Sequence, residues 1–79
     1  MNLEKQLTKI ISETLGVEEE KISLDSDFYT DLNASKLELV DLILACQQKL
    51  NINLSEEAIN EIKTVADLLK LFEEGTDEI

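Results

Sequence analysis

Hydrophobic residues recur every three or four positions in four stretches of this chain, the spacing that places them on one face of an α-helix. The apolar stripe of the first stretch consists of Leu3, Leu7, Ile10, Ile11 and Leu15. Asn2 precedes this stripe as a suitable N-cap, and Gly16 follows it as a suitable helix end. The pattern therefore predicts a helix over residues 3–15.

The second stretch predicts a helix over residues 36–50 that ends at Asn51. We expect its core face to consist of Leu37, Val40, Ile43, Leu44 and Leu50. The apolar arc is widened further by Leu39, Leu42, Ala45 and Cys46. Little except Glu38 and Asp41 interrupts this arc. A helix this apolar lies at the centre of a bundle, or presents its surplus surface to a partner or ligand.

The last two stretches are shorter. Ser55 is a suitable N-cap for a third helix of one or two turns that includes Ile59 and Ile62. A fourth helix is expected to begin at Thr64, where Thr-Val-Ala-Asp resembles a capping box, and to end at Gly75. Four amphipathic helices in 79 residues predict an all-α fold, a small helical bundle with a short third helix. We expect one domain over residues 1–79, with 75–79 as a frayed tail.

The connection between the first two helices, residues 17–34, is long. Long loops in compact domains are uncommon unless they are functional. Its apolar residues, which we expect to hold it against the bundle, are Val17, Ile22, Leu24 and Phe28. The loop ends in Asp-Leu-Asn-Ala-Ser, residues 31–35, and so brings Ser35 to the start of the second helix.

Charge narrows the choice of partners. Eighteen acidic residues against seven lysines give a formal net charge of −11, which repels nucleic acid and anionic membrane surfaces. The charge suits a partner with a basic patch, or it only keeps the protein soluble. The longest apolar run, residues 42–46, is too short to span a membrane, and the N-terminus does not resemble a signal peptide. We therefore expect a cytoplasmic monomer that does not insert into membranes.

The residues needed for independent catalysis or metal binding are scarce. The chain has no histidine, and Cys46 lies in an apolar run, so we interpret Cys46 as a buried thiol rather than a nucleophile. If Asp27 opened a calcium-binding loop, Tyr29 would take position three and Leu32 the sixth position, where glycine makes the turn. The sequence thus predicts neither an enzyme nor a metal site.

Ser35 has two interpretations that do not exclude each other. Ser-Lys-Leu-Glu, residues 35–38, is a complete capping box, in which Ser35 and Glu38 accept each other's backbone N–H. A hydroxyl at a helix start after a long loop is also accessible to a modifying enzyme. A phosphodiester there would face the positive end of the helix dipole and its free N–H groups.

Nearly the whole chain resembles the acyl carrier protein family. The first helix of the family is similar to LTKIISETLGV, the end of its long loop to FYTDLNA, and its later helices to KLELVDLILACQQKLNINLSEEAINEIKTVADLLKLFEE. The resemblance implies an antiparallel four-helix bundle. It also implies a covalent 4′-phosphopantetheine arm, carried on the serine of an Asp-Ser-Leu motif, whose thiol holds acyl groups as thioesters while the protein catalyses nothing.

The motif itself differs in this chain. The alignment without gaps rests on Phe28, Asp31, Leu32, Ala34 and Leu37. It places Ser35 at the family's aspartate and Lys36 at the family's serine, so Ser35 is the candidate attachment site, displaced by one residue. The resemblance further implies that Glu38, Leu39 and Asp41 contact partner enzymes.

The partners implied are a phosphopantetheinyl transferase and acyl-transferring or condensing enzymes with basic docking patches, in fatty-acid or polyketide and peptide biosynthesis. The cargo stays open. Apolar residues that could line a space for an acyl chain, or simply fill the core, are Leu39, Val40, Ile43, Leu44, Ile59 and Ile62. The alternative function is a carrier-like interaction module that is not phosphopantetheinylated, which Lys36 and the capping box of Ser35 motivate.

Overall fold

The computed structural model describes residues 2–76, which form a small bundle of four α-helices. The helices are α1 (Leu3–Leu15), α2 (Lys36–Leu50), α3 (Glu56–Asn60) and α4 (Val65–Thr76), with a short 3₁₀ turn at Glu19–Lys21. Residues 2–76 contain no β-strand beyond one isolated bridge between Asp27 and Thr64. The predicted all-α bundle with a long first loop and a short third helix is therefore confirmed.

Local sequence signals set the helix ends. Asn2 accepts hydrogen bonds from the backbone N–H groups of Glu4 and Lys5 at the start of α1, as predicted. Gly16 ends α1 in the left-handed conformation with φ 71°, and Asn51 ends α2 in the same way with φ 58°. These are the two residue types that adopt this conformation most readily. Both predicted helix ends are confirmed.

The start of α4 is as predicted, but its end is not. The Thr64 hydroxyl accepts the N–H of Asp67 at 3.2 Å, and the Asp67 carboxylate accepts the N–H of Thr64 at 3.1 Å. The helix then continues through Gly75 to Thr76, one residue past the end that we expected. A glycine is favoured after a helix but is also tolerated inside one, at some cost. The remainder of the expected tail, residues 77–79, lies outside the described residues.

All four helices surround one apolar core, to which the long loop contributes. Its buried residues are Leu7, Ile10, Ile11, Phe28, Leu32, Leu39, Leu42, Ile43, Cys46, Ile62, Val65, Leu68 and Phe72. In α2 the buried face differs from the predicted one, because Leu37 is 70% exposed and Leu44 is 46% exposed. Ile43 is buried as predicted, but the rest of the buried face consists of Leu39, Leu42 and Cys46. The apolar arc of α2 is too wide for periodicity alone to select a face.

The long loop is held by its backbone as well as by its side chains. Phe28 is fully buried, and Val17 and Ile22 pack against the core. Leu24 is exposed, so its predicted role as an apolar anchor is wrong. Its carbonyl instead accepts the N–H of Ala66 at 3.0 Å, which attaches the loop to α4.

Within residues 2–76, none of the helices combines the length and the apolar character that a membrane span requires.

Candidate functional site

Ser35 is the N-cap of α2, and both halves of the predicted capping box are formed. The Ser35 hydroxyl oxygen accepts the N–H of Glu38 at 3.1 Å. The Glu38 carboxylate accepts the N–H of Ser35 at 2.8 Å. Ser35 is exposed, so its side chain is a helix cap that also remains open to solvent.

A compact turn at the end of the loop fixes the position of Ser35. The Asp27 carboxylate accepts the N–H groups of Tyr29 at 2.7 Å and Thr30 at 3.0 Å. These hydrogen bonds, that from Thr30 first, lower the pKa of Asp27 because they stabilise its charged form. The N–H of Ala34 then bonds the carbonyl of Phe28 at 2.8 Å. The turn is thereby closed directly before Ser35.

Asn33 allows this turn to join α2. Its φ of 60° lies in the left-handed region, where most side chains are strained and asparagine is tolerated. The residues on either side, Leu32 and Ala34, are both buried. The exposed Asn33 therefore lies between two buried residues, which fix the position of the exposed Ser35 that follows them.

The start of α2 has unused hydrogen-bond donors, whereas the start of α4 has none. In α4 the N–H groups of Val65 and Ala66 bond loop carbonyls at 3.0 Å, and the capping box uses the flanking ones. At the start of α2 the N–H groups of Lys36 and Leu37 have no acceptor among the described residues. Such free N–H groups at the positive end of a helix favour an anion.

Lys36, the residue at the family's serine position, contacts a residue of α3. Its ammonium nitrogen lies 3.4 Å from the side-chain oxygen of Asn60 at the end of α3. No carboxylate among residues 2–76 lies within 4.0 Å of this ammonium group, although Lys49 forms such a pair with Glu13 at 3.6 Å. Lys36 is therefore an exposed cation whose contact in the structure is a neutral amide.

Ser55 offers a comparison within the same chain. It is the exposed N-cap of α3, and its hydroxyl oxygen accepts the N–H of Ala58 at 3.1 Å. The two residues after it are Glu56 and Glu57, whereas Lys36 and a leucine follow Ser35. An anion at Ser55 would meet like charges, so the two serine caps differ in the charge that they favour.

The exposed side of α2 combines acidic and apolar residues. Glu38 and Asp41 are exposed, as a surface that contacts partners requires. Leu39 is only 1% exposed and packs in the core, so our assignment of its side chain to the partner surface is corrected. Leu37 and Leu44 are the exposed apolar residues instead. Apolar spacing predicts both in the core, because the wide apolar arc contains no signal that separates the two faces of the helix.

An open groove of about 370 Å³ lies between α2 and α3. It is lined by Val40, Leu44, Glu56, Ile59 and Asn60. Three of the six residues considered for an acyl space therefore line this groove. The other three, Leu39, Ile43 and Ile62, fill the core.

Cys46 is fully buried in the core, as predicted. Burial raises the pKa of its thiol to about 12, because the apolar surroundings disfavour the thiolate. The thiolate is the reactive form of cysteine, so this side chain is inert at neutral pH.

Comparisons with known proteins point to one family. Residues 5–72 match the family described as "Phosphopantetheine attachment site". A protein named "Acyl carrier protein" from Trieres chinensis is 41% identical over 68 residues, which cover 86% of this chain and 85% of that protein. One of the same name from Coprothermobacter proteolyticus is 41% identical over 69 residues, covering 87% and 84%. A third, from Chlamydia trachomatis, is 38% identical over 74 residues, covering 94% and 96%.

Proposed function

The chain belongs to the acyl carrier protein family, and we propose that it carries its 4′-phosphopantetheine arm on the hydroxyl of Ser35. As a member of this family it is a carrier and not an enzyme. Acyl groups are held as thioesters on the thiol of the covalent arm and are passed to biosynthetic enzymes. The attachment residue needs its own argument, because Lys36 stands where the family has the modified serine.

The observation that carries the proposal is the environment of the Ser35 hydroxyl. Ser35 is exposed at the start of α2, where the next two backbone N–H groups have no partner in the part of the chain the structure describes. A phosphodiester requires an accessible oxygen and donors for its charged oxygens. The residues at this position fit the group.

The cap and the attachment site are compatible at one oxygen atom. In the capping box the Ser35 oxygen accepts a hydrogen bond from Glu38, so the hydroxyl hydrogen takes no part. Esterification replaces that hydrogen and leaves the oxygen in place. The ester oxygen is a weaker acceptor than the hydroxyl, but the new phosphoryl oxygens can accept from the free N–H groups of Lys36 and Leu37.

The attachment reaction is a phosphoryl transfer from coenzyme A. The Ser35 oxygen attacks the phosphorus that bears the pantetheine group, and the phosphorus–oxygen bond of the pyrophosphate breaks. Adenosine 3′,5′-bisphosphate leaves with the bridging oxygen, and a base of the transferase takes the hydroxyl proton. The reaction needs no oxidant or reductant, and Ser35 supplies only the nucleophilic oxygen.

We further propose that partner enzymes bind the exposed side of α2 through basic patches. Glu38 and Asp41 supply negative charge there, and Leu37 and Leu44 supply apolar contact. Complementary charge accelerates the encounter, and the buried apolar area adds affinity. The protein would act as a cytoplasmic monomer, and its mass in solution by light scattering tests the monomeric state.

The test of the attachment site is intact mass after incubation with coenzyme A and a phosphopantetheinyl transferase. Wild type is expected to gain the mass of one phosphopantetheine group, and Ser35→Ala is expected to gain none. Ser55→Ala is the matched control, because it removes the other exposed serine cap. It should be modified as fully as wild type.

Two other outcomes would contradict the proposal. A mass gain that survives Ser35→Ala would place the arm on another residue. No gain in wild type with several transferases, while Lys36→Ser becomes modified, would identify a carrier-like interaction module that does not take the arm.

A further inference from the structure

We propose that Lys36 is the positioning residue for the phosphodiester on Ser35, and that it exchanges its contact with Asn60 for that phosphodiester. This inference rests on the proposed attachment at Ser35. It assigns a role to Lys36, which stands at the position where the family carries the modified serine.

The positive charge of Lys36 is only weakly stabilised in the unmodified protein. It is the first residue of α2, where the helix dipole disfavours a positive charge. Its ammonium group bonds the neutral side-chain oxygen of Asn60 at 3.4 Å, which is long for a hydrogen bond, and both residues are exposed. The structure therefore holds Lys36 weakly in its present position.

A phosphodiester on the adjacent residue would be a better partner. Consecutive Cα atoms lie about 3.8 Å apart, so a phosphate on Ser35 lies within reach of the long lysine side chain that follows it. A charged acceptor binds an ammonium group more strongly than a neutral amide does. The phosphate would also offset the unfavourable placement of Lys36 at the start of α2.

The contact that Lys36 would give up lies beside the groove between α2 and α3. Asn60 lines the groove between α2 and α3 together with Val40, Leu44 and Ile59. In the unmodified protein the Lys36 ammonium group contacts a residue that lines this groove. Exchange of this contact for the phosphodiester therefore changes the surroundings of Asn60, which makes Asn60 a reporter of the exchange.

The test follows the side-chain amide resonance of Asn60 by ¹H–¹⁵N NMR before and after modification with coenzyme A and a transferase. In wild type this resonance is expected to shift on modification toward its position in unmodified Lys36→Met, which lacks the ammonium group. In Lys36→Met itself, modification should leave the resonance unchanged. Lys36→Arg keeps the charge and should restore a shift on modification.

Lys49→Met is the matched control, because Lys49 is an exposed lysine of the same helix paired with Glu13 instead. It should reproduce the wild-type response of Asn60. The ³¹P resonance of the phosphodiester gives a second readout, which should differ between wild type and Lys36→Met but not between wild type and Lys49→Met.

The two proposals fail in different ways. A protein that gains the arm at Ser35 while the Asn60 resonance does not move overturns the role of Lys36 and leaves the attachment site intact. An equal shift in wild type and Lys36→Met does the same. Absence of any mass gain in wild type overturns both proposals.

Discussion

Ser35→Ala removes the oxygen that accepts the N–H of Glu38 at 3.1 Å, and we expect it to lower the free energy of unfolding by about 1 kcal/mol. The N–H of Ser35 keeps its bond to the Glu38 carboxylate, so only one half of the capping box is lost. The start of α2 cannot fray freely, because Leu39 is buried one turn into the helix. We therefore expect loss of the cap to lower the free energy of unfolding of the whole domain.

Two further substitutions separate the cap from the attachment site. Ser35→Asp retains a side-chain oxygen that caps about as well as serine, so its unfolding free energy should stay within a few tenths of a kcal/mol of wild type. It has no hydroxyl and should gain no phosphopantetheine. Ser55→Ala should cost less than Ser35→Ala, because α3 has five residues, none of them fully buried, and can fray locally.

Urea unfolding followed by circular dichroism measures these differences, and thermal unfolding gives a second measure. For a domain of this size, 1 kcal/mol corresponds to roughly 4–8 °C in Tm. An unchanged unfolding free energy in Ser35→Ala would refute the capping argument. A loss in Ser35→Asp as large as in Ser35→Ala would show that the missing oxygen is not the cause.

The other predictions concern the core, the turn before Ser35 and acid stability. Leu39→Ala should cost about 2–5 kcal/mol in urea unfolding, whereas Leu37→Ala should stay within about 0.5 kcal/mol, and the reverse order would contradict the observed face of α2. Because Asn33 has a φ of 60°, Asn33→Val should lower the free energy of unfolding by about 1–2 kcal/mol, whereas Asn33→Gly should change it little. Equal effects of the two substitutions would exclude backbone strain as the cause. Hydrogen bonds from backbone N–H groups lower the pKa of Asp27. At Asp67, burial alone would raise the pKa, but hydrogen bonds from backbone N–H groups outweigh this effect, so the pKa of Asp67 is also lowered. Each carboxylate therefore stabilises the fold above its unfolded pKa near 3.8, and this stabilisation is lost as pH falls through the lower folded pKa. Asp67→Asn should weaken the fall in urea midpoint between neutral and acid pH, and an unchanged pH profile would count against this assignment.

Features encoded by neighbouring residues could be predicted from the sequence. The helix bounds of α1 and α2 followed from apolar spacing and from the residues at their ends, and the capping box of Ser35 followed from a four-residue motif. These features depend on backbone conformation over one or two turns. Local propensity is sufficient to specify them.

Features that depend on distant residues could not be predicted. The buried face of α2 is chosen by its packing partners, because its apolar arc nearly surrounds the helix. The contact between Lys36 and Asn60 requires the placement of α3 beside the start of α2. Whether the first N–H groups of a helix are free also depends on distant residues, because the equivalent groups of α4 are bonded to carbonyls of the long loop.

The backbone pairing between the long loop and α4 has a consequence for the order of events during synthesis. Ser26 and Phe28, which precede Ser35, are hydrogen-bonded to Val65 and Lys63, which lie far beyond it in the chain. Domains generally fold as units during translation, and distant contacts form late. A nascent chain that ends before residue 63 lacks the backbone partners that attach this loop to the bundle, so the turn before Ser35 is not yet anchored. We therefore expect the modifying enzyme to act on completed chains and to discriminate against truncated ones.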